Sequence, residues 1–433
     1  MVDVPRYWYN IVADLPVPLP PLLDPLEDED SRIALLVKIL PSRLIDEEYT
    51  LSRLIPIPER VREAYRKAGR PTPLIRAEGL EKAIGVHGRA RIYYKYEGVL
   101  PTGSHKLNTA VPQVYYALLD GAEEVATETG AGQWGLAVSM AAAMLGLKAT
   151  VFMTRSSYEK KKPRRIAMQA LGATVHPSPS TVTEAGRRAL RERPDHPGSL
   201  GLAITEAIEY VLENPRRRYV AGSVLESVVT HQTVIGQELL QQLPEEPDYM
   251  IACVGGGSNM AGFTYPALGM RLRGEGFDKT QFIAAESTAA PRLSKGTYRY
   301  DGLDTGLVLP LARMYSLGKD YVPPPIHAAG LRYHGAAPSL SLLRKLGLVE
   351  AAAYSQEEVF EAARIFARAE AILPAPESTH AIKAAIDVAR RAEPGSVIVF
   401  NLSGHGLMDI DAYEKISSRI VDGQVPEPAN ARR

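Results

Sequence analysis

The stretch TGSHKLNTA, residues 102–110, sets His105 and Lys106 side by side among small and polar residues. A lone lysine is ordinarily a solvated surface charge. Held inside a site, it is an amine able to condense with a carbonyl. Three other short loops carry residue types suited to anions or to proton transfer. In CVGGGSNMAG, residues 253–262, Gly255, Gly256 and Gly257 allow main-chain N–H groups to converge, and a helix opening near Ser258 and Asn259 adds the positive end of its dipole. That combination makes a phosphate cradle. No Gly-Lys-Ser/Thr follows, and the G-x-G-x-x-G spacing with its ribose-binding acid is missing, so the phosphate belongs to something other than ATP or NAD.

In TETGAGQWG, residues 127–135, the backbone of Thr129, Gly130, Ala131 and Gly132 lies beside the side-chain amide of Gln133, a donor set sized for a carboxylate. Glu128, just ahead of it, reads either as an acid or base or as an acceptor for neighbouring N–H groups. In NLSGHG, residues 401–406, Ser403 follows an apolar run and by itself reads as a cap or turn hydroxyl. A lysine, a phosphate cradle, a carboxylate cradle and an isolated hydroxyl together match what pyridoxal phosphate carrying an amino acid requires.

These loops need elements to position them. Short apolar runs, RIYYKYE, EEVATE, KATVFM, ATVHPS, YMIACVG, QFIAAES and SVIVFNLS, read as buried strands. They alternate with helical stretches such as AVPQVYYALLDG, QWGLAVSMAAAMLG and STHAIKAAIDVARRAE, which predicts an α/β fold of parallel sheets covered by helices on both faces. Ligands in such folds bind beyond the carboxyl ends of strands, where the loops above fall. The first 60 or so residues are rich in proline and should wrap the body as irregular segments and short helices. The basic run Lys160, Lys161, Lys162, Arg164 and Arg165 reads as a solvated helix start.

Composition excludes several function classes. Lys plus Arg (50) equals Asp plus Glu (50), so no global field draws in nucleic acid or an anionic membrane. The single Cys253 cannot form an internal disulfide, no leader-like opening is present, and no apolar run approaches the roughly 20 residues that span a bilayer. A cytoplasmic protein is expected. Abundant proline with scarce cysteine and asparagine suggests a heat-adapted chain.

TGSHKLN, ETGAGQWG, ACVGGGSN, PAPESTHA and NLSGHG, in this order over about 300 residues, resemble the tryptophan synthase beta chain, a fold-type II pyridoxal-phosphate enzyme. The Pro-rich opening with RYWYNIVADLP is more similar to the divergent second group of beta chains. The resemblance implies two three-layer αβα domains, 1–224 and 225–433, with the cofactor between them. It further implies an N-terminal extension over about 1–70, a crossing segment over about 72–104 and a mobile closing segment over about 121–208. Lys106 then holds the cofactor as a Schiff base and moves the Cα proton, and Glu128 handles the indole N–H proton. His105, Asn108, Gly255, Gly256, Gly257, Ser258 and Asn259 bind the cofactor, Glu377 lies near its ring, and Ser403 bonds the pyridine nitrogen. Thr129, Gly130, Ala131, Gly132 and Gln133 bind the substrate carboxylate.

The implied reaction joins indole to L-serine, as the last step of tryptophan biosynthesis. The implied assembly is a homodimer that meets an alpha chain weakly or transiently, and a monovalent cation is implied as a further cofactor. No site for a catalytic divalent metal is expected. Compared with the commoner beta chains, Trp134 stands in place of a His, His405 in place of an Arg, and Arg332, in GLRYHGAAP, where the family has an acid near the substrate hydroxyl. An arginine there favours an anionic leaving group, such as the phosphate of phosphoserine. The alternative within the same fold is a serine or threonine deaminase or threonine synthase, although ETGAGQWG with its Glu128 is not expected in those.

Overall fold

The computed structural model describes residues 2–24, 29–304, 307 and 309–414. Fourteen strands form in chain order. The first eight are β1 (Tyr7–Tyr9), β2 (Leu54–Pro56), β3 (Leu74–Arg76), β4 (Arg91–Tyr96), β5 (Glu124–Thr129), β6 (Lys148–Thr154), β7 (Thr174–Ser178) and β8 (Arg217–Tyr219). They are followed by β9 (Tyr249–Cys253), β10 (Gln281–Ser287), β11 (Thr297–Gly302), β12 (Leu311–Ser316), β13 (Glu350–Tyr354) and β14 (Val397–Leu402). All seven apolar runs identified in the sequence are strands, the central ones buried on both faces; in β14 every residue of VIVFNL is buried, whereas the edge strand β7 is buried only in part.

Two sheets carry the architecture, with strand orders β13-β10-β9-β14-β4-β3 and β7-β6-β5-β8. The second is parallel throughout, and in the first only β3 runs antiparallel, against β4. The long crossovers between parallel neighbours are helical, which covers both sheet faces. Residues 74–96 are inserted beside β14 in the larger sheet, although the chain then proceeds into the smaller one. The strands missed in the sequence are short or edge elements, β1, β2, β3, β8, β11, β12 and β13, whose apolar signal is brief.

The N-terminal extension packs as expected from its prolines, with short helices at Ser42–Tyr49 and Glu59–Lys67; residues 25–28 lie outside the described set. It is tied to the body by Arg70. This fully buried side chain pairs with Glu97 (2.8 Å) and Glu238 (2.9 Å), and Lys95 joins Glu238 at 2.8 Å. Against the upward push of burial, Arg70 holds the Glu97 carboxyl down at about 2.

Candidate active site

The carboxyl ends of β5, β9 and β14 and the loop after β4 open onto one cavity of about 470 Å³. The loop Pro101–His105 is fastened to the end of β14: the His105 N–H donates to Ser403 O at 3.0 Å, and the His405 N–H donates to Gly103 O at 3.0 Å. Lys106 follows at the head of the helix Leu107–Leu119 and lines the cavity. Burial lowers its pKa, opposed by the charge of Glu377. His105 is pushed down to about 3 by burial and by the neighbouring lysine, and its Nδ1 meets Gln232 Oε1 at 3.2 Å.

The glycine loop after β9 lines the same cavity, together with Ser258 and Asn259. A Cβ on Gly255 would lie 2.3 Å from Gly330 O and one on Gly256 2.5 Å from Ser223 Oγ, while Gly257 has φ +110°. Only bare backbone fits there, in front of the 15-residue helix Ser258–Leu272. The Asn259 amide donates to Cys253 O at 2.9 Å and accepts from Asn401 at 2.7 Å, which fixes the loop to two strand ends.

Glu128, Thr129, Gly130, Ala131 and Gln133 line the same cavity. Glu128 is buried, and burial raises its pKa although Tyr219 donates to it at 2.5 Å. Glu377 accepts from the Gly330 N–H at 2.9 Å. Ser403 contacts Ser378 Oγ at 2.8 Å and Cys253 Sγ at 3.5 Å. Arg332 also lines the cavity; its Nη2 donates to Pro323 O at 2.7 Å, while its Nε has no partner.

Residues 65–404 match the family described as pyridoxal-phosphate dependent enzyme. The tryptophan synthase beta chain of Pyrobaculum islandicum is 69% identical over 408 residues, covering 94% of this chain and 96% of that one. The tryptophan synthase beta chain 1 of Aeropyrum pernix is 66% identical over 417 residues, with 96% and 98% covered. The beta chain of Thermococcus onnurineus is 52% identical over 435 residues, with 99% and 97% covered. The chain belongs to the tryptophan synthase beta family.

Like its family, it synthesises L-tryptophan by pyridoxal-phosphate-dependent β-replacement. The residues fit that cofactor: a glycine cradle without room for side chains stands at a helix start, and a lysine of lowered pKa shares the cavity. No helix among the described residues is long and apolar enough to cross a membrane.

Two residues expected at the beta-chain site do not line the cavity. Asn108 lies outside that lining, its side chain accepting from Arg70 (2.8 Å) and donating to Glu97 (3.1 Å) and Gln232 (3.0 Å), so the side chain reaches the His105 ring through Gln232. Gly132 faces away, where a Cβ would meet Arg164 at 3.1 Å, and its φ of +94° turns β5 into the following helix. The basic run is likewise not a solvated helix start throughout. Lys160 and Lys162 are exposed, but Arg164 is 4% exposed, donates to Asp409 Oδ1 at 2.9 Å and reaches Ala131 O at 3.2 Å. Tyr219, Gln232, Ser378 and Arg164 were missed because each acts through a partner far along the chain, and no local pattern marks such a residue.

Proposed function

We propose that L-tryptophan synthesis in this chain is divided among Lys106, Glu128, the two anion cradles and Ser403. Pyridoxal phosphate, when bound, supplies a carbonyl that condenses with an amino group and a conjugated ring that takes up the electrons left when Cα loses its proton. The N–H groups of Gly255, Gly256, Gly257, Ser258 and Asn259, with His105, hold the phosphate. Lys106 Nζ accepts the Cα proton of the amino-acid donor and later returns it. Its lowered pKa supports that role, because burial disfavours the charged form of the amine. Thr129, Gly130, Ala131 and Gln133 bind the donor carboxylate. Ser403 offers the pyridine nitrogen a neutral hydroxyl, which does not retain a pyridinium proton and so favours replacement at Cβ over transamination. Glu377, which lines the same cavity, would lie near the ring.

One carboxylate oxygen of Glu128 takes up the indole N–H proton as C3 of indole attacks. A second, apolar chamber beside Glu128, walled by Leu36, Leu40, Leu200, Ile204 and Leu309, supports indole as acceptor, since that ring needs apolar walls and one polar partner. The single observation that carries the reading is that Lys106 and Glu128 share one cavity with the glycine cradle.

The finer features belong to the same proposal. The chain divides near residue 224 into two domains, residues 72–104 cross between them, and residues 121–208 close over the substrate and exclude water. Arg332 selects an anionic leaving group, so phosphoserine is the better donor. The chain works in the cytoplasm as a homodimer and meets an alpha chain transiently.

The visible spectrum of the purified protein, recorded with the cofactor and then after L-serine, phosphoserine and indole in turn, tests this. A Schiff-base band that changes with the donor and is discharged by indole supports the reading. A Lys106→Ala variant that still forms tryptophan, or release of pyruvate from serine without response to indole, overturns it.

A further inference from the structure

Arg292 is completely buried, yet its hydrogen bonds go to main-chain carbonyls. Nε and Nη2 donate to Ala290 O (3.1 and 2.6 Å), Nη2 to Leu331 O (2.9 Å), and Nη1 to Val254 O (3.2 Å) and to Gly255 O. Glu286, the carboxylate whose charge it feels, is engaged elsewhere, accepting from the N–H groups of Leu293 and Ser294 at 2.9 Å each and from the Ser294 hydroxyl at 2.5 Å. A positive charge ringed by carbonyl oxygens from separate chain segments is the environment that proteins build for a dehydrated monovalent cation. Here the charge is covalently attached.

The ring joins parts of the site. Val254 and Gly255 open the glycine cradle, and Leu331 adjoins Arg332 on the cavity wall. Gly255 packs directly on Gly330 O, and the Gly330 N–H is held by Glu377. We propose that the Arg292 guanidinium is the resident cation of this enzyme, a positioning residue that occupies the carbonyl ring a monovalent metal ion would otherwise fill, so that the cradle is assembled without added sodium or potassium. Without the charge, the carbonyl dipoles would face one another unsatisfied and the segments would separate.

The test uses the holoenzyme in buffers whose only small cation is tetramethylammonium, compared at equal ionic strength with potassium, sodium and caesium. Tryptophan formation and melting temperature should be the same in all, within about twofold for the rate, because an ion that does not bind the folded protein cannot stabilise it. Thallium(I) NMR should show no saturable binding. Arg292→Ala should lose about tenfold or more in cofactor affinity and rate in tetramethylammonium, acquire thallium binding, and recover with potassium, caesium or guanidinium below denaturing concentration. Arg292→Lys should retain cation-independent melting. Saturable activation of the unaltered enzyme by potassium or sodium, with thallium binding, would overturn the proposal, as would an Arg292→Ala enzyme fully active in tetramethylammonium. Should Arg292→Ala not fold, the measurements on the unaltered enzyme decide.

Discussion

Tyr219, the last residue of β8, donates its hydroxyl hydrogen to Glu128 at the end of the neighbouring strand β5, across 2.5 Å. The parallel register pairs Tyr219 with Ala126, two residues before Glu128 and on the same sheet face, so strand pairing alone brings the two side chains together. Burial raises the Glu128 pKa and the Tyr219 hydrogen bond lowers it. Tyr219→Phe removes the lowering contribution, so the acid limb of kcat/KM for indole should move to higher pH. Glu128→Gln should lower tryptophan formation about 100-fold or more while the cofactor band remains. A pH profile of both variants, with the visible spectrum, checks this.

Arg332 gives a prediction about the donor. A charge-assisted hydrogen bond contributes about 1.5–3 kcal/mol. Arg332→Ala should therefore lower kcat/KM for phosphoserine about tenfold or more and change the value for serine far less. Equal loss with both donors would assign Arg332 a purely structural role.

The Arg70 network makes a stability prediction. Arg70 and Lys95 are balanced by Glu97 and Glu238, all fully buried. Glu238→Ala leaves two cations facing one carboxylate, a loss of about 3–5 kcal/mol, measurable by denaturant melting. Because the folded Glu97 pKa is depressed to about 2, its contribution is complete above the ordinary value of 4.5 and disappears as pH falls toward 2.

Glu226 has the opposite sign. It accepts from the Ser339 N–H at 2.8 Å, its Oε2 has no partner, and burial followed by the Glu48 charge raises its pKa to about 8. The folded state keeps a proton that the unfolded chain loses near 4.5, so stability is full below that value and is lost as pH rises to about 8. Glu226→Gln resembles the protonated acid. It should melt like the unaltered enzyme at low pH and at a higher temperature above pH 8.

Adding a methyl group to the cradle tests its fit to phosphate. Gly255→Ala places a Cβ 2.3 Å from Gly330 O, a backbone atom that cannot swing aside. Cofactor affinity, read by titration of the visible band, should fall about tenfold or more while the helix Ser258–Leu272 persists in the circular dichroism spectrum.

The sequence by itself determined the α/β fold, the buried strands of the two sheets, the glycine cradle and the lysine loop. Those signals are local: an apolar run such as SVIVFNL must be buried on both faces, and three consecutive glycines after a strand leave the backbone bare wherever the chain goes. Only the tertiary structure decided the charges and their partners. Arg164 reads as one member of a basic run until the fold brings Asp409 to it across 245 positions, and Asn108, next but one to Lys106, is turned into the Arg70 network outside the cavity lining. Tyr219 and Arg292 are equally silent in sequence, because a buried polar group is satisfied by whatever the crossovers deliver to it, here a carboxylate 91 residues away and a ring of main-chain carbonyls.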